Sequence, residues 1–159
     1  ILTGANTGKA LVSSVWESPD GYFDNRASWL ADPKVVEAFQ AAGITSTQVT
    51  MAEITAERGT CEGKYGVGVF QTGTDFSQSA VDQVVDAVEA AMIGQGANGL
   101  RTTRILTGEN TGMALGVFFV DSLADFFGTL PNLLADSDVV AGFQRAGLVT
   151  QMRSITQTI

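Results

Sequence analysis

The chain has 159 residues, of which 45% are hydrophobic and 16% are charged, and 17 acidic against 9 basic side chains give a net charge of −8. This balance is typical of a packed globular protein, and the absence of any Lys- or Arg-rich run argues against a nucleic-acid partner. The chain has no histidine, which excludes Ser-His-Asp and Cys-His catalysis, His-ligated haem and most zinc sites, so we predict no cofactor and no metal.

The first twelve residues, ILTGANTGKALV, return at Ile105–Gly116 as ILTGENTGMALG. A single shift of 104 residues aligns the two stretches, and the match continues in the same register to Gly43 and Gly147. Chance does not hold one register for so long, so the chain contains a duplicated unit.

Each copy opens with a turn between two β-type runs. Gly4–Gly8 and Gly108–Gly112 enclose an Asn-Thr pair, and Gly and Asn tolerate the positive φ that hairpin turns require. The turns are followed by predicted strands at Lys9–Trp16 and Met113–Val120, so an anion-binding loop, which would lead into a helix, is disfavoured.

Two short helices follow the strand in the first copy. Ser18-Pro19 and Asp32-Pro33 are N-cap and first-turn pairs, and Gly43 ends the second helix, as Gly147 does in the other copy. Gln48–Ile54 then reads as the closing strand. Residues 1–58 are therefore predicted as an incomplete first repeat with the order ββαβ.

The segment between the copies supplies two further elements. Tyr65–Gln71 reads as a strand, and Asp75–Ile93 carries apolar residues at the spacing of a one-faced helix. Leu100–Thr107 forms the strand that enters the second turn, and Met152–Ile159 closes the chain. Residues 63–159 are therefore predicted as a complete second repeat, βαββαβ.

The longest apolar run, Met113–Val120, is far shorter than the roughly 20 residues that cross a bilayer, so we predict no membrane partner. Cys61 is the sole cysteine and excludes an intrachain disulfide. A lone thiol favours a reducing compartment, and we expect a cytoplasmic protein.

The βαββαβ order, the GENTG turn and the Leu-Ala-Asp step between the helices resemble the dimeric α/β-barrel superfamily, which includes antibiotic-biosynthesis monooxygenase-type and stress-responsive barrel domains. The resemblance implies an α+β fold of tandem ferredoxin-like units, whose two sheets pack face to face as one pseudo-twofold barrel within this chain. It also implies a family of mixed chemistry, from cofactor-free oxygenases to proteins without known activity.

The first repeat lacks its opening strand and helix, which would leave backbone groups unpaired in the middle of a sheet. We expect about 50 residues before Ile1 by analogy with the second repeat, or a neighbouring chain that supplies the strand. A third alternative is a circular permutation, in which Tyr65–Gln71 completes the first sheet.

The first copy is the more polar of the two and offers a candidate ligand site. Arg26 would anchor an anion, with Trp16, Tyr22 and Trp29 as an aromatic lining. The alternative is that the aromatic side chains fill the core and Arg26 lies on the surface.

Arg101 and Arg104 are three residues apart on one strand and so lie on opposite faces. We expect one of them to face solvent and the other to form a salt bridge with an acid such as Glu53 or Glu109. The sequence leaves two functions open. One is a non-catalytic structural or assembly protein, or a small-ligand-binding protein, whose partners are further copies of itself, a chain that completes the first sheet, or a small molecule. The other, implied by the resemblance, is a cofactor-free monooxygenase or isomerase-like enzyme that acts on a small aromatic or polyketide-like substrate.

Overall fold

The computed structural model describes residues 1–4, 6–45 and 48–158. The chain divides into two compact units, one formed by Ile1–Ala10 with Thr50–Ile159 and the other by Leu11–Val49. Over the described residues the fold is α+β, with a five-stranded antiparallel sheet and five helices. The repeat boundaries at residues 58 and 63 remain a prediction.

The smaller unit holds the first two helices, α1 (Pro19–Ala31) and α2 (Pro33–Ala41). Ser18 Oγ accepts a hydrogen bond from Gly21 N at 3.1 Å, and Asp32 Oδ1 accepts one from Lys34 N at 2.9 Å. Each helix starts with proline in its first turn, where no backbone N–H is needed. The predicted caps and the two-helix step are confirmed.

The larger unit contains the sheet. Its elements in chain order are β1 (Ala52–Gly59), β2 (Tyr65–Thr72), α3 (Gln78–Met92), β3 (Gly99–Ile105), β4 (Ala114–Val120), α4 (Leu123–Ala135), α5 (Ser137–Ala146) and β5 (Val149–Gln157). The order of strands across the sheet is β1-β3-β4-β2-β5. From β2 to β5 the chain therefore runs β-α-β-β-α-β, with the second helix in two pieces, as the sequence predicts.

The second hairpin is confirmed in detail. β3 and β4 pair from Gly99 opposite Phe119 to Arg104 opposite Ala114. Asp136 caps α5 through hydrogen bonds from Asp138 N and Val139 N, and Gly147 ends it in the left-handed conformation. The predicted strand at Met152–Ile159 begins earlier, at Val149, and Ile159 lies outside the described residues.

The core lies between the sheet and helices α3, α4 and α5. Its fully buried side chains come from both layers: Val67 and Val120 from the sheet, and Val85, Met92, Phe126 and Val139 from the helices. The rings of Phe118 and Phe126 join the layers, with their centroids 5.3 Å apart. Dense packing of this kind fixes the sheet relative to the three helices.

Two predictions about the first copy are wrong in part. Residues 9–16 form no strand, and the strand predicted at Gln48–Ile54 begins at Ala52 and pairs with β3 of the second copy. In the first turn, the amino group of Ile1 donates a hydrogen bond to Lys9 O at 2.8 Å. Among the residues that the structure describes, the backbone after Lys9 has no antiparallel neighbour, and a strand without a neighbour leaves its hydrogen-bonding groups unpaired.

Candidate functional site

The structure brings the three predicted aromatic residues together in the smaller unit. The ring centroids of Trp16 and Tyr22 are 6.1 Å apart, and those of Trp16 and Trp29 are 6.3 Å apart, both edge to face. Tyr22 and Trp29 are two turns apart on α1, and Trp16 Nε1 donates to Ser14 Oγ at 2.7 Å. Trp16 is 36% exposed and Trp29 is 45% exposed. The cluster is thus a surface feature of this unit and not a filled core.

Arg26 lies one turn after Tyr22 on the same side of α1 and is half-buried. It makes no hydrogen bond or ion pair with another described residue. The neighbouring Asn25 Oδ1 is shielded from solvent and accepts no hydrogen bond from the residues that the structure describes. A cation and an unsatisfied acceptor therefore lie on α1, the helix that carries Tyr22 and Trp29. The assignment of Trp16, Tyr22, Arg26 and Trp29 as a ligand site stays a prediction.

A second surface, which the sequence did not identify, is the sheet face opposite α3. Side chains alternate between the faces of a strand, so the neighbours of the core residues Val67, Leu100 and Phe118 point away from the helices. These outward positions are mostly apolar or lack a side chain, and we call them the open face: Gly66, Gly68, Phe70, Arg101, Thr103, Leu115, Val117 and Phe119. Gly66, Gly68 and Thr103 are buried, and the others are half-buried.

The middle of the open face is a trough along β2. A Cβ atom placed on Gly66 would lie 2.7 Å from Thr156 Oγ1, and one placed on Gly68 would lie 2.9 Å from Ser154 Oγ and 3.4 Å from Leu115 Cδ1. The two glycines thus give room to side chains of the flanking strands. Because side chains of the neighbouring strands occupy the space above the two glycines, nothing projects far from the sheet here, and the surface is suited to packing against another layer.

One charged pair lies on the open face. Arg101 Nε contacts Glu57 Oε1 at 2.5 Å, and the Arg101 guanidinium stands 5.7 Å from the centre of the Phe119 ring. Arg104 lies on the other face, where its Nη2 contacts Glu53 Oε2 at 2.6 Å. The predicted separation of the two arginines is confirmed, and the pairing with Glu53 is one of the two that the sequence offers.

Cys61 borders this charged pair. Burial, followed by the nearby carboxylate of Glu57, raises the pKa of the Cys61 thiol above its ordinary value. The thiol Sγ donates to Leu100 O at 3.7 Å. Since the thiolate is the reactive form, a raised pKa keeps this sulfur protonated at neutral pH and makes it a poor nucleophile.

The two copies of the turn have the same hydrogen bonds. Gly8 N donates to Ile1 O at 3.0 Å and Gly112 N to Ile105 O at 2.9 Å, and in each turn the Thr hydroxyl donates to the first Gly carbonyl at 2.6 Å. All four glycines that bound the turns have positive φ. The two turns therefore have the same local structure.

Beyond each turn, the copies contact one another reciprocally. Leu106 N donates to Met51 O at 2.8 Å, and Met51 N donates to Thr107 Oγ1 at 2.9 Å. The same pattern joins the other pair of ends, where Leu2 N donates to Ile155 O at 2.7 Å and Ile155 N donates to Thr3 Oγ1 at 2.9 Å.

Every residue in one set is 104 positions from its equivalent in the other. The end of the first copy thus bonds the turn of the second, and the end of the second bonds the turn of the first. The 104-residue offset in the sequence indicates which residues are equivalent, but it does not predict which strand ends contact one another.

Two concave regions lie elsewhere in the larger unit. The first is a cavity of about 60 Å³ that lies between α3 and the sheet and is lined by Phe76, Val84, Arg104 and Leu148. The second is an open cleft of about 680 Å³ beside Asn98 and Asp121. The cavity is much smaller than the roughly 300 Å³ at which small-molecule pockets begin. Within the described residues, no three Cys, Asp or Glu side chains converge as metal ligands do.

No described helix is long and apolar enough to span a membrane. No protein-family model matches the chain, and no curated protein matches it.

Proposed function

We propose that the chain is a non-catalytic assembly module, in which the open face packs against a second sheet. More specifically, we propose that the two repeats are ferredoxin-like units and that they pack together over this face as one pseudo-twofold α/β barrel. The reciprocal strand-end contacts carry the proposal, because a twofold relation between two copies requires each to give and receive the same bonds.

The chemistry of the open face supports packing in preference to catalysis. Leu115, Val117 and Phe119 form an apolar row along β4, and burying such side chains removes about 25 cal/mol of unfavourable free energy for each Å² taken out of water. The charged groups on this face, Glu57 and Arg101, already satisfy one another. Each of the two groups therefore already has an oppositely charged partner within the sheet.

A labelling experiment tests the proposal. Val117→Cys, made in a Cys61→Ala background, places a thiol in the middle of the open face. Covered by a second sheet, it should react with a thiol reagent at least tenfold more slowly than a Val149→Cys reference, which is 56% exposed whereas Val117 is half-buried without that sheet. Protection independent of protein concentration would indicate closure within one chain, and protection that grows with concentration would indicate closure by another. Equal labelling rates at all concentrations would contradict the proposal.

A second candidate function is the binding of a small aromatic anion beside Trp16, Tyr22 and Trp29. Arg26, which has no described partner, favours it, because a half-buried Arg on the side of α1 that carries Tyr22 and Trp29 suits a planar carboxylate. Titration with 2-naphthoate should change the tryptophan fluorescence saturably, and Arg26→Gln should weaken the effect about tenfold while Lys34→Gln leaves it unchanged. Equal responses in both variants would exclude this site. Conversion of the bound compound would support the enzymatic alternative.

A further inference from the structure

Helix α4 is apolar on more of its circumference than the core covers. Its residues Phe126 and Leu133 face the core and are buried. At 3.6 residues per turn, four further residues lie together on a neighbouring side of the helix. All four are exposed, and we call them the outer stripe: Ala124, Phe127, Pro131 and Leu134. The polar side chains of this helix occupy the remaining side and do not interrupt the stripe: Asp125, Thr129 and Asn132.

The two large side chains of the outer stripe are adjacent, not scattered. Phe127 is 43% exposed and Leu134 is 52% exposed, and they lie two turns apart with Pro131 between them. A helix at the surface of a globular protein normally confines its large apolar residues to the side that faces the core, and a helix that is apolar over most of its circumference is normally covered there too. The outer stripe is therefore typical of a surface that a partner covers.

The same apolar pair is present in both copies. At the 104-residue shift, Phe127 and Leu134 correspond to Phe23 and Leu30. The residues that are buried in α4 do differ between the copies, in two pairs: Phe126 with Tyr22 and Leu133 with Trp29. The large residues of the outer stripe thus persist where core residues have changed, which contact with water alone does not require.

We propose that the outer stripe binds a basic amphipathic helix of another protein. The charge around α4 selects this partner, because residues 121–144 contain no Lys or Arg and four carboxylates: Asp121, Asp125, Asp136 and Asp138. Pro131 has no N–H, so the Phe127 carbonyl lacks the hydrogen bond that residue 131 would otherwise donate. A Lys side chain of the partner can donate to this oxygen while the apolar side of its helix covers the outer stripe.

The same charges disfavour two other occupants. A second copy of the chain would bring its own carboxylates against these, and like charges repel. The surface of an anionic bilayer attracts Lys and Arg, which residues 121–144 lack. The outer stripe belongs to the helical layer, whereas the open face is on the other side of the sheet. The inference therefore goes beyond the proposed packing of the open face and does not depend on it.

Binding of a synthetic peptide to the full chain tests the proposal. The probe is a fluorescein-labelled peptide of leucine and lysine whose leucines lie on one side of the helix, and fluorescence anisotropy follows the titration. We expect saturable binding, which Phe127→Gln combined with Leu134→Gln should weaken at least tenfold. The matched control, Val149→Gln combined with Met152→Gln, replaces two apolar residues of similar exposure on β5 and should bind like the original chain. Far-UV circular dichroism checks that both variants are folded.

A third variant and a second peptide separate the possible outcomes. Pro131→Lys favours the helix, yet it should weaken binding because it places a positive charge in the outer stripe. A peptide with glutamate in place of every lysine should bind at least tenfold more weakly. Equal binding of the two peptides, equal weakening by the stripe and control variants, or no saturable binding below about 1 mM would overturn the proposal. Binding to vesicles of phosphatidylcholine and phosphatidylglycerol, or self-association, that the stripe variant abolishes would also overturn it.

Discussion

Replacing Gly112 by alanine should destabilise the protein, although there is room for the added methyl group. Gly112 has φ of +87°, and a Cβ atom placed there would meet nothing within 4 Å. Alanine is disfavoured in this backbone conformation, which destabilises the folded state by about 1–3 kcal/mol. Alanine also restricts the unfolded chain, which offsets this loss by about 0.4–1 kcal/mol. We expect a net loss of about 1 kcal/mol or slightly more in the free energy of unfolding.

The matched control is Gly128→Ala. Gly128 lies in α4, has no positive φ and also has no atom within 4 Å of an added Cβ. In a helix, alanine is favoured over glycine by about 0.5–1 kcal/mol, so this variant should be the more stable. Urea unfolding followed by far-UV circular dichroism measures both changes. A Gly112→Ala variant that gains as much stability as Gly128→Ala would refute the turn geometry.

Other predictions concern the core and the acid side of the stability curve. Phe126→Ala should lower the free energy of unfolding, measured with urea, by about 3–5 kcal/mol, because the Phe126 side chain is fully buried. Phe127 lies on the same helix but is 43% exposed, so Phe127→Ala should lower this free energy far less. Equal losses would contradict the packing. Hydrogen bonds from Asn98 Nδ2 and then from Lys64 N lower the pKa of Asp121. These bonds stabilise the folded protein at pH values above about 3.9, the pKa of Asp121 in the unfolded chain, and the stabilisation is lost as the pH falls through the lower pKa of the folded state. Asp121→Asn should therefore make the free energy of unfolding fall less steeply below about pH 4. Above about pH 5 the variant should leave the pH dependence of that free energy unchanged.

The second copy could be predicted from the sequence because its signals are local and complete. The periodicity of Asp75–Ile93, the cap at Asp136 and the turn at Gly108–Gly112 each act within a few residues, and the structure has all three. Each of its strands also has at least one neighbour within the same copy, so local preference and tertiary pairing agree.

The first copy could be predicted only where its structure is local. Its turn and its two capped helices form, whereas Lys9–Trp16 has strand composition without a partner and forms no strand. β1 lies beside β3, a pairing set by residues about 50 positions away, which no local pattern indicates. The spacing of Tyr22 and Trp29 predicts that both lie on one side of α1, but the open face depends on which side of the sheet the helices α3, α4 and α5 cover.

Hydrogen exchange at two backbone amides tests the reciprocal contacts most directly. Thr3→Val should accelerate exchange of the Ile155 amide and leave that of Met51 unchanged, and Thr107→Val should do the opposite, because each variant removes one acceptor hydroxyl. The account predicts accelerations of similar size in the two variants, measured by NMR on the full chain. An Ile155 amide that exchanges equally fast with and without the Thr3 hydroxyl, while Met51 responds to Thr107→Val, would contradict the twofold relation between the copies.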